Sequence, residues 1–280
     1  MSSFEHDGRR IAYTVHGDGP RTTVLIHGLL FTQRLHERLA AELAKRGHRV
    51  VTLDLLGHGA SDRPNDVQAY SMGAFARQVV GLLDHLGVEK AVVGGMSLGA
   101  NTALEVAAIA PERLQGMVIE MPVLDHALLG CAVAFTPAMV ATTLGEPVMR
   151  VVQAVARRVP RLPWFPDQIV DLVRQDPGPS GAVLQGLLFA RIAPPHEERR
   201  TFTAPTLIIG HRRDPVHPFS DSGALHEELV NSRLVEASSI LELRLTPDRL
   251  TEEIAAFLDT CWADAAPAAR RRRTGTARVA

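Results

Sequence analysis

Ser97 is the residue whose setting first points to chemistry. It lies in Gly95-Met96-Ser97-Leu98-Gly99, after an apolar run with strand character and before a stretch with helical spacing. A serine at a tight strand-to-helix turn is held in strained backbone angles. Its neighbours two positions away on either side must be small, which the two glycines satisfy. The helix behind it offers unpaired N–H groups and positive potential to a developing oxyanion. That combination predicts a nucleophile elbow and covalent catalysis at a carbonyl. A serine hydroxyl is a poor nucleophile without a base in hydrogen-bond reach, so the chain's 12 histidines become the next question.

The elements that must position such a site alternate along the chain. Apolar runs with strand character occur at Arg10–Val15, Thr22–His27, His48–Asp54, Lys90–Gly95, Gly116–Met121, Thr206–Gly210 and Arg233–Glu236. Helical spacing is predicted for Leu35–Arg46, Met72–Leu86, Leu98–Ile109, Ser220–Leu229 and Pro247–Trp262, with Gly87 closing the second as a C-cap residue. This alternation predicts an α/β fold with a mostly parallel sheet covered by helices. The rhythm breaks over 126–200, which is rich in Ala, Leu, Val and Met and punctuated by seven prolines from Pro137 to Pro179. It reads as several short helices inserted between two strands. Among its large apolar residues, Met139, Met149, Trp164, Phe165, Leu187, Leu188 and Phe189 suggest a greasy pocket wall.

Residues 10–262 resemble the α/β-hydrolase-fold superfamily, in its serine-nucleophile form with a helical cap. The glycine-flanked Ser97 carries the resemblance. So do His27-Gly28 after TVLI, and the segment from Asp54 through Gly57, Gly59 and Ser61 to Asp62, which is similar to that family's structural D-x-x-G-x-G-x-S-D loop. The resemblance implies a core of 1–125 and 201–262 and a cap at 126–200. It implies an oxyanion hole made by the backbone N–H groups of Leu29 and Leu98. It places the catalytic acid at Asp214, in the segment after the seventh strand, with Asp125 as the alternative used by some members. His27 and His58 are expected as loop or packing residues, with His27, beside the oxyanion hole, also expected to border the substrate pocket. A serine at the elbow disfavours the alkyl-ester chemistry of the fold's aspartate-nucleophile members.

The family's histidine lies between the eighth strand and the last helix, and here Glu236–Pro247 contains none; the spacing puts Ile240 near that position. Chain order leaves His217 and His226 after Asp214. His226 falls on a predicted helix and is expected to face solvent. His217, three residues past Asp214 in a pocket-lining loop, is the leading candidate for the base. His126 and Glu242 are the other possibilities, and Asp125 with His126 could instead shape the pocket together with Trp164.

The composition frames these readings. The 280 residues carry 30 Lys+Arg and 31 Asp+Glu, a net charge of −1, which gives no reason to expect nucleic acid or an anionic membrane as the main partner. Only Cys131 and Cys261 occur, far apart, so reduced thiols in a cytoplasmic protein are expected. No cofactor or metal is expected: there is no Cys/His cluster, P-loop or G-x-G-x-x-G. The N-terminus has no apolar run, and no stretch approaches 18 apolar residues without charge, so no membrane span is expected. Residues 263–280 carry five arginines and one aspartate and read as a disordered basic tail. The leading expectation is a hydrolase or acyl-transfer enzyme of a small apolar ester, thioester or lactone. The rival, motivated by the missing histidine, is a non-hydrolytic member of the fold, either a lyase or cyclase or a ligand-binding protein.

Overall fold

The computed structural model describes residues 1–263; the predicted basic tail from 264 onward lies outside them. In chain order the elements are β1 (Ser2–His6), β2 (Arg9–His16), β3 (Arg21–Ile26), α1 (Glu37–Lys45), β4 (His48–Leu53), α2 (Met72–His85), β5 (Ala91–Met96), α3 (Leu98–Ile109) and β6 (Leu114–Glu120). Then come α4 (Leu128–Thr143), α5 (Glu146–Ala156), α6 (Trp164–Arg174), α7 (Pro177–Phe189) and α8 (His196–Arg199). The described residues end with β7 (Thr206–His211), α9 (Phe219–Glu228), β8 (Ser232–Ala237), α10 (Glu242–Leu245) and α11 (Asp248–Ala263). The eight strands form one sheet in the order β1-β2-β4-β3-β5-β6-β7-β8. From β4 to β8 along that row every pair is parallel, while β2 pairs antiparallel with both β1 and β4.

Side-chain alternation in the strands builds a core on each face. Ile26, Val51, Val93 and Ile119 point to the side covered by α2 and α3. Leu25, Val50, Val92 and Val118 point to the side covered by α1 and α11. Strands buried on both faces therefore read as continuous apolar runs rather than alternating ones. The strand order reverses beside β3, whose two neighbours are β4 and β5. The crevice outside the carboxyl ends of β3 and β5 is where open α/β sheets bind ligands, and Leu29 and Ser97 both lie there.

Two expectations need correction. Strand β1 was not foreseen; it pairs with β2 through a tight turn at Asp7-Gly8, both with positive φ (49° and 70°), the Asp-Gly pair such hairpins favour. Nor is the chain free of a long apolar helix. The stretch Asp125–Thr143 is a 19-residue helical segment with mean hydropathy 1.4, long and apolar enough by composition to cross a bilayer. Its glycine, proline and threonines interrupt the apolar run without adding charge, which is why a strict count passes over it.

Candidate active site

Strand β5 delivers Ser97 to its carboxyl end in a conformation few non-glycine residues adopt, φ 53° and ψ −109°. The turn is tight enough to require both glycines. A Cβ on Gly95 would stand 2.2 Å from the Ile26 carbonyl oxygen, and one on Gly99 2.1 Å from the same atom. His36 Nε2–H donates to that carbonyl at 3.0 Å, and burial pulls the His36 pKa down to about 3. The Ser97 N–H is held by the Glu120 carbonyl of β6 at 2.9 Å. Backbone strain of this kind costs on the order of 1–3 kcal/mol and persists only where the surroundings enforce it.

The loop after β7 faces this serine. Asp214 Oδ1 accepts from the N–H groups of Val216 (2.8 Å) and His217 (2.9 Å), an Asx turn between Pro215 and Pro218. The turn swings the His217 ring back over its own aspartate, with Nδ1 2.9 Å from Asp214 Oδ2 and Nε2 2.9 Å from Ser97 Oγ. An ionised carboxylate can only accept, so Nδ1 carries the proton and Nε2 is left to accept from the serine. Burial pushes the Asp214 carboxyl up, but the hydrogen bond and charge of His217 outweigh it and hold the pKa below the ordinary value. Asp214 and His217 thus come from one four-residue turn.

The other side of the site is the chain leaving β3. The Gly28 carbonyl accepts from Phe31 N–H at 3.0 Å and from His27 Nδ1–H at 2.9 Å, while His27 Nε2 accepts from Leu55 N–H at 3.1 Å. With that carbonyl pinned into the protein, the planar trans peptide turns the Leu29 N–H the opposite way. Leu98 N–H belongs to the first turn of α3, which has no acceptor within its own helix. Both residues border a cavity of about 260 Å³ with Ser97 in its wall. Phe135, Met139, Leu184 and Leu187 supply much of the rest, and among the described residues no Lys, Arg, His, Asp or Glu side chain lines it.

The structure brings together Ser97, Asp214, His217, Leu29 and Leu98. It does not bring the four expected pocket residues to the cavity. His27 is fully buried behind the Gly28 peptide, and burial lowers its pKa, so it orients the loop as a neutral ring. Asp125 and His126 are exposed because the buried Asp221 of α9 captures the N–H groups of Leu124, His126 and Ala127 and the His126 ring, turning both side chains outward. Trp164 donates Nε1–H to the Arg34 carbonyl at 3.3 Å and lies under the Arg38 guanidinium at 4.4 Å, stapling α6 to the segment ahead of α1. Of the suggested greasy wall, Met139, Leu187 and Leu188 line the cavity, whereas Met149, Phe165 and Phe189 do not. The other candidate bases are spoken for. His226 Nδ1 meets Ser232 Oγ at 2.8 Å, and Glu242 is held by Ser238 and Arg249 with its carboxyl at about 2, despite burial that would raise it.

Sequence reasoning missed two contributors. Asn101, one turn after Ser97 on α3, borders the cavity and ties its wall together: its amide donates to the Val123 and Ile192 carbonyls at 2.7 and 2.9 Å and accepts from Val123 N–H. Cys131 also borders the cavity, its thiol pushed up to about 11 by burial and then by the nearby carboxylates Asp221 and Asp214. The spacing of Leu128, Ala132, Phe135 and Met139 is the face of one helix, a signal that was available.

Comparison with known proteins agrees with this architecture. The family model for the alpha/beta hydrolase fold matches residues 23–176. The chain is 37% identical over 105 residues to 2-hydroxymuconate semialdehyde hydrolase of a Pseudomonas species, covering 38% of this chain and 34% of that protein. It is 35% identical over 112 residues to an uncharacterized protein of Mycobacterium tuberculosis, covering 40% of this chain and 32% of that one. The matched region thus spans about a third of the length of these curated relatives. Among solved structures, the enol-lactonase of Burkholderia xenovorans LB400 shares 21% identity with TM-score 0.75, over 92% of this chain and 100% of that one. At that identity the likeness is one of fold.

Proposed function

Because the chain belongs to the alpha/beta-hydrolase-fold family, we propose that it is a serine-dependent hydrolase, or acyl-transfer enzyme, of a neutral apolar ester, thioester or lactone. The observation that carries this reading is the unbroken relay Ser97 Oγ, His217 Nε2, His217 Nδ1, Asp214 Oδ2, with both links at 2.9 Å. As Ser97 Oγ bonds to the substrate carbonyl carbon, its proton passes to His217 Nε2 and Asp214 stabilises the resulting imidazolium. The carbonyl electron pair moves onto oxygen, where the Leu29 and Leu98 N–H groups receive it. Collapse breaks the bond to the leaving group, which takes the proton from His217. Water then repeats the sequence on the acyl-enzyme, or an alcohol does so in acyl transfer. The uncharged cavity wall favours an uncharged acyl group, because a buried carboxylate there would find no cation.

A fluorophosphonate probe tests this directly. Stoichiometric labelling at Ser97 is expected, with loss in Ser97→Ala and strong slowing in His217→Ala. Turnover of a short p-nitrophenyl ester should fall with it, by on the order of 10⁴–10⁶ in kcat for either variant. An unlabelled wild-type protein overturns the proposal and favours the ligand-binding rival.

A further inference from the structure

Helix α4 is unusual in having no polar side to give to water. No charged residue occurs between His126 and Glu146. One side of the helix lines the cavity through Leu128, Phe135 and Met139. The other side is equally apolar and exposed: Leu129, Val133 and Leu144 project from it, and α5 continues the surface with Val148, Val151 and Val155. Leu144 is 83% exposed and Leu129 76%, and only 11% of the apolar stretch is buried. A contiguous apolar face of this kind marks a surface that meets something other than water.

The charge around the face says what that is. Residues 126–163 hold four arginines against one acid, Glu146, in a chain whose net charge is −1. Arg150 pairs with Glu146, and Arg161 with Asp167 and Asp171, while Arg157 and Arg158 at the end of α5 are exposed and have no carboxylate partner among the described residues. An apolar face rimmed by uncompensated arginines fits an anionic lipid surface. It fits a second copy of the chain poorly, because a two-fold partner would bring the same unpaired arginines to the interface and no acid to balance them.

We infer that the outer face of α4 and α5 docks on the surface of an anionic phospholipid bilayer. The helix lies on the membrane rather than through it. Its inner side forms a wall of the cavity, so it cannot cross the bilayer without leaving the fold. Docking sets α4, which forms one wall of the cavity, against the bilayer and offers an apolar substrate a route from lipid past that helix to Ser97. The docking rests on the face itself; only that route rests on the hydrolase reading above.

Flotation of the full-length protein with vesicles tests it, comparing phosphatidylcholine alone with phosphatidylcholine containing phosphatidylglycerol. Association is expected with the anionic vesicles and should weaken as salt rises. Leu144→Asp with Val148→Asp should abolish it. Arg157→Gln with Arg158→Gln should lower partitioning roughly 30-fold. Both double variants should hydrolyse a soluble short ester like the wild type, which separates this claim from the catalytic one. A further variant with Arg270, Arg271, Arg272 and Arg273 changed to Ser should still bind. Failure to float, binding unaffected by the α4–α5 changes, loss confined to the Arg270–Arg273 variant, or a solution dimer dissolved by the aspartates would each overturn the inference.

Discussion

At the scale of single residues, the turn Asp214-Pro215-Val216-His217 does two jobs with one carboxylate. Oδ1 shapes the turn by accepting two backbone N–H groups, and Oδ2 fixes the imidazole tautomer. Asp214→Asn separates the jobs. The amide oxygen can still hold the turn, but its NH₂ faces Nδ1 and favours the tautomer whose Nε2 carries the proton and cannot accept from Ser97. The expected outcome is a loss on the order of 10⁴ in kcat with the fold and KM retained, read by steady-state kinetics beside circular dichroism. A loss of less than ten-fold would mean that Asp214 only shapes the loop. Ser97 was legible because its requirement is local, two small neighbours at a strand-to-helix junction. The placement of His217 against Ser97 was legible only by elimination, since nothing in one sequence says that a histidine three residues from an aspartate can reach across 120 positions. The pocket assignments of Asp125 and His126 failed for the same reason: Asp221, which turns them outward, lies 95 and 97 positions from the backbone groups it holds at His126 and Leu124.

At the scale of elements, the connection between β8 and α11 supplies an arginine to the interior rather than a histidine to the site. Arg244 of α10 is buried and donates to Glu120 Oε2 at 2.7 Å, with Met96 Sδ 3.2 Å away. Glu120 also gives its backbone carbonyl to Ser97 N–H, so the pair stands directly behind the strained serine. Burial alone would raise the Glu120 pKa, but the Arg244 guanidinium, together with the neighbouring His211, outweighs it and brings the carboxyl to about 2. A folded-state pKa depressed below the ordinary carboxylate value adds stability that is complete above about pH 4.5 and is lost as pH falls toward 2. Wild-type protein should therefore lose roughly 2 kcal/mol from this group between pH 7 and pH 3, and Glu120→Gln should lack that increment. The same variant should cost about 3–5 kcal/mol at neutral pH by leaving Arg244 buried and unpaired, with much of it recovered on adding Arg244→Met. Chemical denaturation at the two pH values reads both effects, and an equal acid sensitivity in Glu120→Gln would show that the pair is not the source. The strands were legible as apolar runs, but this ion pair was not, because Glu120 and Arg244 are 124 positions apart and each alone looks like a surface residue.

At the scale of the whole molecule, the question is how the helices inserted between β6 and β7 are held over the sheet. The bridge is a cluster of five charges. Arg34, from the segment between β3 and α1, reaches Asp167 and Asp171 of α6 at 3.1 and 2.8 Å. Arg161 and Arg174 meet the same two carboxylates at 2.8–2.9 Å. Trp164 and Gln175 reinforce it through the carbonyls of Arg34 and Leu30, so α6 is fastened to the very segment that carries Leu29. Position of the insertion and orientation of the Leu29 peptide are thereby one mechanical unit. Arg34→Met isolates this coupling, because Arg161 and Arg174 still neutralise both carboxylates and only the link to the sheet is cut. The expected result is a several-fold rise in KM for an apolar ester with a smaller fall in kcat, together with faster hydrogen exchange in 164–175. Those residues should then open without unfolding of the sheet. An unchanged KM alongside faster exchange would mean that the insertion moves independently of substrate binding, and an unchanged exchange rate would mean that the remaining contacts of α4 and α7 hold it in place without the bridge.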